Sequence, residues 1–556
     1  MTFHRRFIFA LLLLASLLAG RAGAIAQTVP SRENPDAVCA KCHREIYSSY
    51  EKTPMARASG AAVDGLLPGE FTHTASGVHY RLFLRDGRAW LSYERPGAVP
   101  ERSLKGEQEL VYFVGSGKRG RTYLFQKSGF WFESPVNWYS KLRVWDMNPK
   151  SLDAREMPFT LQVDRSCLHC HASAVQAALP GAKNHFAAQP FLHAGITCES
   201  CHGDPSKHLA DGGKGAILNP ARLTPGRRDS ICLQCHLEGV MAVNRVGRSI
   251  ASFVPGEELS DYVAHFVYAG ELGASGRATS QWEALLQSKC KRKSGDRLTC
   301  TTCHNPHSSP TLEERVSYFR GKCLACHTGE FFANKHHPEQ RDCASCHMPR
   351  EKTENVAHEQ VTDHRIQRPL KFERASSQDA KAHSGELMSV SGAPASDRDL
   401  GLAYAQLAEH GNQDAGRKAM LLLDQAERSD GQKQDPDLHT ALGFLEQISQ
   451  NLEGAMREYE AALLADPFNS IASGDLAILK ARSGDVKGAV ALWQSVSRDD
   501  PSEVAASWDL ATVECAIGEP QAATRTLERL LDFSPDNQRA RQMLIAVRDG
   551  KQHCGR

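Results

Sequence analysis

Three hydrophobic rhythms divide the chain. Between residues 66 and 146, apolar and polar positions alternate with the period of a half-buried strand. Val78 to Leu84 and Ala89 to Tyr93 flank Asp86-Gly87, a pairing that predicts a tight hairpin. Glu109 to Val114 and Thr122 to Phe132 predict a second strand pair, with Ser128-Gly129 as a further turn. The aromatics Tyr112, Phe113, Tyr123, Phe125, Phe130, Trp131, Phe132, Trp138, Tyr139 and Trp145 fall here and suit a small core. Residues 147 to 370 show little periodicity. Leu259 to Tyr268 and Ser280 to Lys289 are the clearest predicted helices there, and Glu45 to Lys52 predicts a short helix ended by Pro54. Residues 371 to 398 are polar and rich in Ser, Ala and Gly, which reads as a linker. Residues 399 to 550 return to a helical rhythm that itself repeats.

The repeat is 34 residues long. Leu442, Leu476 and Leu510 keep that spacing, as do Ala455, Ala489 and Ala523, and Pro467, Pro501 and Pro535. Gly443, Ala477 and Ala511 form a small column, and Tyr459, Trp493 and Leu527 a bulky one. This is the tetratricopeptide pattern, in which each helix pair buries its apolar face only against its neighbours. Glu446, Lys480 and Glu514 stand where an aromatic is usual. Leu400 to about Pro436 looks like a degenerate first unit. The expected organisation is mainly α: a multi-site domain with little regular structure and an inserted antiparallel β module at 66–146, then an α-solenoid.

Charge adds little, since 66 basic residues nearly balance 65 acidic ones and give no polyanion-binding field. The 17 cysteines change the picture. Fourteen of them lie in seven Cys-x-x-Cys-His pentads. The cysteine pairs are Cys39/Cys42, Cys167/Cys170, Cys198/Cys201, Cys232/Cys235, Cys300/Cys303, Cys323/Cys326 and Cys343/Cys346. The adjoining histidines are His43, His171, His202, His236, His304, His327 and His347. Two cysteines at this spacing can join a haem through thioethers, and the next histidine can ligate its iron. Zinc half-sites and redox dithiols need no adjoining histidine, so seven copies point to seven covalent haem c groups. Six pentads fall within 181 residues, so porphyrins must supply much of the interior. Their propionates make the molecule more acidic than its sequence. The first pentad belongs to a segment at 27–65 and the other six to 147–370. Cys290, Cys515 and Cys554 lie outside the pentads and are expected to be free thiols.

A six-coordinate haem needs a second axial ligand. His193, His208, His307, His337 and His364 are the leading candidates, followed by His265 and His358. Met55 could serve the first haem, twelve residues beyond His43. Which residue serves which iron is not determined by spacing.

His4, Arg5 and Arg6, the apolar run Phe7 to Leu18, and Ala24-Ile25-Ala26 have the form of a signal peptide over residues 1–26. A periplasmic or otherwise exported chain without a transmembrane span is expected.

The ITCESCHGDPSKH block ending at His208, the CHNPH of Cys303 to His307 and the CASCHMP of Cys343 to Pro349 resemble the multihaem cytochrome c superfamily. That superfamily holds tetrahaem cytochromes of ammonia oxidisers, hydroxylamine oxidoreductase and pentahaem nitrite reductase. The resemblance implies haem pairs forming an electron wire, and a histidine at the position of His208 that ligates another haem. All seven motifs here end in histidine, whereas the nitrite reductases carry a lysine-ended motif at the catalytic haem. The tetrahaem relatives commonly place a histidine near position 55, where this chain has Met55. The expected function is electron transfer between redox partner proteins, with the repeats for protein docking and no nucleic acid. The alternative is an oxidoreductase acting on nitrite, hydroxylamine or another small nitrogen or sulfur species at one five-coordinate haem.

Overall fold

The computed structural model describes residues 34–97, 103–269, 280–329, 332, 342–350, 362–367, 386–390, 395–429 and 434–555. The signal-like segment, His337 and His358 lie outside these residues. Among the described residues no helix is long and apolar enough to cross a membrane.

The predicted strands form, and they extend beyond the expected module. Strands β1 (Ser59–Ala61), β2 (Gly69–Thr72), β3 (His79–Arg85), β4 (Arg88–Arg95) and β5 (Leu104–Leu110) come first. Then follow β6 (Tyr112–Val114), β7 (Gly120–Lys127), β8 (Phe130–Glu133), β9 (Val136–Tyr139), β10 (Val144–Met147) and β11 (Leu161–Gln162). One antiparallel sheet runs β2-β3-β4-β5. A second runs β1-β6-β7-β8-β11, with β9 pairing β7 and β10 pairing β9. Asp86 and Gly87, at φ 52° and 70°, make the tight turn between β3 and β4. Both residues in the left-handed region is the twist a two-residue hairpin needs. The aromatic concentration is core: Tyr80, Tyr123, Phe125 and Phe132 are each at most 1% exposed.

Two expectations fail for local reasons. Leu259 to Tyr268 is not a helix but a single 3-10 turn followed by β15 (Val263–Tyr268), after β12 (Ala172–Val175), β13 (Phe191–Ala194) and β14 (Met241–Asn244). Its run of Val, Phe and Val is buried on both faces, and a short apolar run of that kind fits either period. Part of the presumed linker is also structured. Leu387–Ser389 forms β16, the third strand of a β14-β15-β16 sheet. The fold is therefore mixed, with β structure towards the N-terminus and paired helices towards the C-terminus, rather than mainly α.

The solenoid comprises α1 (Asp397–Glu409), α2 (Gln413–Arg428), α3 (Pro436–Ile448), α4 (Leu452–Ala465) and α5 (Ser470–Arg482). It continues through α6 (Val486–Asp499), α7 (Val504–Ala516), α8 (Pro520–Phe533) and α9 (Gln538–Arg548). Asn412, Asp435, Asn451, Asn469, Asp485 and Asn537 accept backbone N–H groups at their helix starts. The repeat columns are packing contacts. A Cβ on Gly443 would lie 2.6 Å from the Tyr459 ring, so that column must stay small.

Both ends of the solenoid are fastened to the rest of the chain. At the first, α1 packs on β14, β15 and β16, with Leu402, Ala403 and Leu407 in one core with Val243, Phe266 and Leu387. Arg245 pairs with Asp399, and Arg398 donates to Asn244 O at 2.7 Å. At the last, Phe533 enters the β core edge-on to Phe130 at 5.8 Å. Asp536 accepts from Arg95 at 2.5 and 3.0 Å and from Met157 N at 2.7 Å.

Cys515 and Cys554 form a disulfide, so the free-thiol expectation fails for both. Sequence distance hid the pair, because α8 and α9 return the tail to α7. The bridge closes a loop of 39 residues that contains the fastened Phe533 and Asp536. Replacing Cys554 with serine is expected to cost the solenoid end about 2–4 kcal/mol. Denaturant unfolding followed by circular dichroism measures this loss, and an unchanged midpoint would show that the bridge adds nothing.

Candidate multihaem site

Each pentad winds through about one helical turn, which brings cysteines and histidine to one side. His43 N donates to Cys39 O at 2.8 Å, His202 N to Cys198 O at 2.9 Å and His327 N to Cys323 O at 2.9 Å. Carboxylates three residues ahead of three pentads hold them in place. Asp164 accepts from Ser166 N and Cys167 N of its own pentad turn. Asp36, ahead of Cys39, accepts instead from Cys198 N at 3.0 Å. Asp229, ahead of Cys232, accepts from Cys300 N at 3.1 Å. Asp36 and Asp229 thus tie pentads that lie far apart in sequence. They were missed from sequence, although the shared offset of Asp36, Asp164 and Asp229 is a readable signal.

The attachment sulfurs adjoin in a definite order. Cys39 lies against Cys198, Cys170 against Cys235, Cys232 against Cys300, and Cys323 against Cys343. Cys201 feels the charge of Cys232, and Cys303 that of Cys326. Numbered along the chain, pentads 1, 3, 4, 5, 6 and 7 make a line, and pentad 2 branches from pentad 4. Burial, then Asp36, pushes the Cys39 thiol up. Thioether formation removes that titration.

Among the described residues, three histidines outside the pentads face pentad histidines. His208 faces His43, with ring centres 6.4 Å apart and planes 17° from parallel. His307 faces His202 at 5.9 Å and 9°. His364 faces His304 at 6.2 Å and 30°. An iron–imidazole bond of about 2 Å on each side, with each ring centre roughly 1 Å beyond its nitrogen, places facing centres about 6 Å apart. The residues therefore fit a haem iron between each pair. In each case the histidine following pentad n+2 faces pentad n.

The ring protons agree with that fit. Nδ1 of His202 faces Leu218 O at 2.9 Å, that of His208 Gly215 O at 2.8 Å, that of His364 Thr362 O at 2.7 Å and that of His347 Gln367 O at 2.7 Å. A carbonyl can only accept, so Nδ1 carries the proton and Nε2 is left as the metal-binding nitrogen. His73 differs. Its Nδ1 meets Ser76 Oγ at 2.8 Å and its Nε2 Leu152 O at 2.9 Å, which makes it a structural residue.

The remaining candidates divide. His193 on β13 and His265 on β15 line the same cavity as the pentads. Burial lowers His265 to about 4, which keeps the imidazole neutral and able to bind metal. Met55 also lines the cavity, but the ring opposite His43 is that of His208. The sequence could not show this, because His208 lies 165 residues from His43. Cys290, in the helix Lys289–Ser294, has its thiol pushed up by burial and then by Cys326.

The pentad histidines, the three facing histidines and the pentad cysteines other than Cys346 line one continuous cavity of about 4770 Å³. An ordinary small-molecule site encloses about 300–1,000 Å³. A space this large, bordered by paired cysteines and facing imidazoles, suits several porphyrins.

Cys346 is the pentad cysteine that does not line this cavity. It is exposed and stands off the cavity wall, whereas Cys343 and His347 of the same pentad lie on it. The neighbour of its Sγ is Ser345 Oγ, which donates to it at 3.9 Å. Cys42, Cys167, Cys235 and Cys326 are exposed as well, and pentad 6 meets the seventh through Cys323 on the Cys343 side. A thioether at Cys346, like those at the other pentad cysteines, is the expectation of the pentad pattern.

These features define a multihaem c-type cytochrome joined to a run of helical repeats. Residues 137–203 match the family described as cytochrome c554 and c-prime, across the second and third pentads. The chain is 24% identical over 178 residues to multiheme cytochrome MtrA of Shewanella baltica, covering 29% of this chain and 52% of that one. It is 31% identical over 75 residues to cytochrome c-type protein NrfB of Escherichia coli O6:H1, covering 13% of this chain and 39% of that one. The chain thus spans about half the length of the first relative and less of the second. Among solved structures, MamA AMB-1 aligns at 18% identity over 28% of this chain and 82% of its own, with a TM-score of 0.25. MamA MSR-1 aligns at 16% over 28% and 84%, with a TM-score of 0.24. The repeat assignment rests on the 34-residue columns and the helix pairs themselves. Covalent haem c belongs to this class, and the redox chemistry is supplied by its iron.

Proposed function

We propose that the protein is an exported seven-haem electron carrier, with its solenoid serving for protein docking. The observation that carries this reading is the continuous order of attachment sulfurs. Haems held on adjoining cysteines lie close enough to exchange electrons, so the line 1-3-4-5-6-7 reads as a conduction path. The fourth haem would be its junction, since Cys235 meets Cys170 while Cys232 meets Cys300. The chain contributes the holding groups: thioethers, proximal imidazoles and, for haems 1, 3 and 5, His208, His307 and His364. An iron held by imidazoles on both faces passes electrons and leaves no position for a substrate, which favours transfer over catalysis. Export is supported by the form of residues 1–26 and by the oxidised Cys515–Cys554 pair.

Protein-film voltammetry of the holoprotein tests this reading. A reversible signal integrating to about seven electrons per molecule is expected, from a potential range set by axial ligation. A fast signal from only one or two haems would contradict a connected path. Nitrite or hydroxylamine that produced a catalytic current would move the assignment to the oxidoreductase alternative.

A further inference from the structure

One cluster of metal-ligating side chains lies outside the haem region. Glu427 sits in the last turns of α2, His439 in the first turn of α3 and Glu458 midway along α4. One ligand atom from each lies within 4.8 Å of the other two. His439 is 5% exposed, its Nδ1 stands 2.8 Å from Glu458 Oε2, and its Nε2 meets no protein partner among the described residues.

The repeat does not require this trio. At the equivalent positions of the next two repeats His439 is replaced by Ser473 and Ser507, and Glu458 by Leu492 and Thr526. Those helix pairs pack around the same Ala and Leu columns without it. Charge counting gives a second argument. Two carboxylates against one imidazole leave a net negative charge even with the ring protonated. A divalent ion beside a neutral imidazole balances them. Arg428 on α2 acts on Glu427 but is shared with Asp424 at 4.0 Å.

We propose that Glu427, His439 and Glu458 bind a divalent transition-metal ion of the zinc type, fastening the degenerate first unit to the first full repeat. One imidazole nitrogen and two carboxylate oxygens form a ligand set that zinc accepts, with water completing the tetrahedron. Metal–ligand bonds of about 2.0–2.2 Å place tetrahedral ligand atoms roughly 3.4 Å apart. The trio's ligand atoms already lie within 4.8 Å of one another. The site is independent of the haem assignment, because none of its residues belongs to a pentad or lines the haem cavity.

The test uses full-length holoprotein, stripped with chelator, loaded with zinc chloride and desalted. Elemental analysis is expected to find about one zinc per chain in the wild type and none in Glu458→Gln. Glutamine keeps an acceptor for the His439 ring, so the variant preserves the hydrogen bond and removes the charge. His439→Ala should lose the zinc as well, and unchanged haem absorption and helical circular dichroism verify that both variants fold. Zinc should also raise the thermal midpoint of the wild type and leave that of Glu458→Gln unmoved. Zinc absent from the wild type, or retained equally by Glu458→Gln, overturns the proposal and leaves a His439–Glu458 pair alone.

Discussion

Replacing His208 with alanine converts the haem carried by Cys39 and Cys42 to high spin and leaves the haem on Cys198 and Cys201 low spin. The family resemblance already implies that His208 serves another haem, although it lies only six residues beyond His202. It follows from geometry. The His208 ring centre stands 6.4 Å from that of His43, and its Nδ1 is held by Gly215 O, so Nε2 points away as a ligand nitrogen. Loss of an axial imidazole should also move one haem potential by on the order of 0.1 V, within the ~0.8 V range that axial ligands command. Electron paramagnetic resonance of the oxidised protein reads the spin change. The assignment is checked in a variant that also lacks Cys39 and Cys42, where no new high-spin signal should arise. A response confined to the haem on Cys198 and Cys201 would refute the crossed pairing.

Arg95→Ala should release the far end of the solenoid from the β sheets. Asp536 is 2% exposed and accepts two hydrogen bonds from Arg95 and one from Met157 N. Removing one partner strands a buried carboxylate, which costs about 3–5 kcal/mol. The neighbouring Lys127–Asp532 pair is more exposed, and such surface pairs contribute about 0–1 kcal/mol, too little to compensate. The variant should unfold at lower denaturant. It should also show faster hydrogen exchange in α8 and α9, with the haem spectra unchanged. The double variant Arg95→Ala with Asp536→Ala should recover part of the loss, because it removes the stranded charge. Equal stability of wild type and Arg95→Ala would show that the solenoid is not held there.

Local rules carried the parts of the fold that are local. Asp86-Gly87 and Ser128-Gly129 announce turns because both residues of each adopt positive φ, which few other pairs do without strain. The 34-residue columns announce helix pairs because each helix packs on the next. The pentads announce haem because three side chains must converge within one turn. What escaped depends on distance. His208 opposite His43, Arg95 on Asp536 and Cys515 on Cys554 join residues that no local pattern relates. Val263 to Tyr268 escaped for another reason. A six-residue stretch buried on both faces, with His265 alone among apolar and aromatic neighbours, has too few polar positions to betray its period. The n+2 order of His208, His307 and His364 becomes visible only when the pentads are arranged in space.

The central claim is that haem irons lie between crossed histidine pairs in one connected array. Anomalous diffraction at the iron edge from crystals of the holoprotein tests it most directly. Seven iron peaks are expected, three of them between His43 and His208, His202 and His307, and His304 and His364. Fewer peaks, or irons displaced from these pairs, would contradict it.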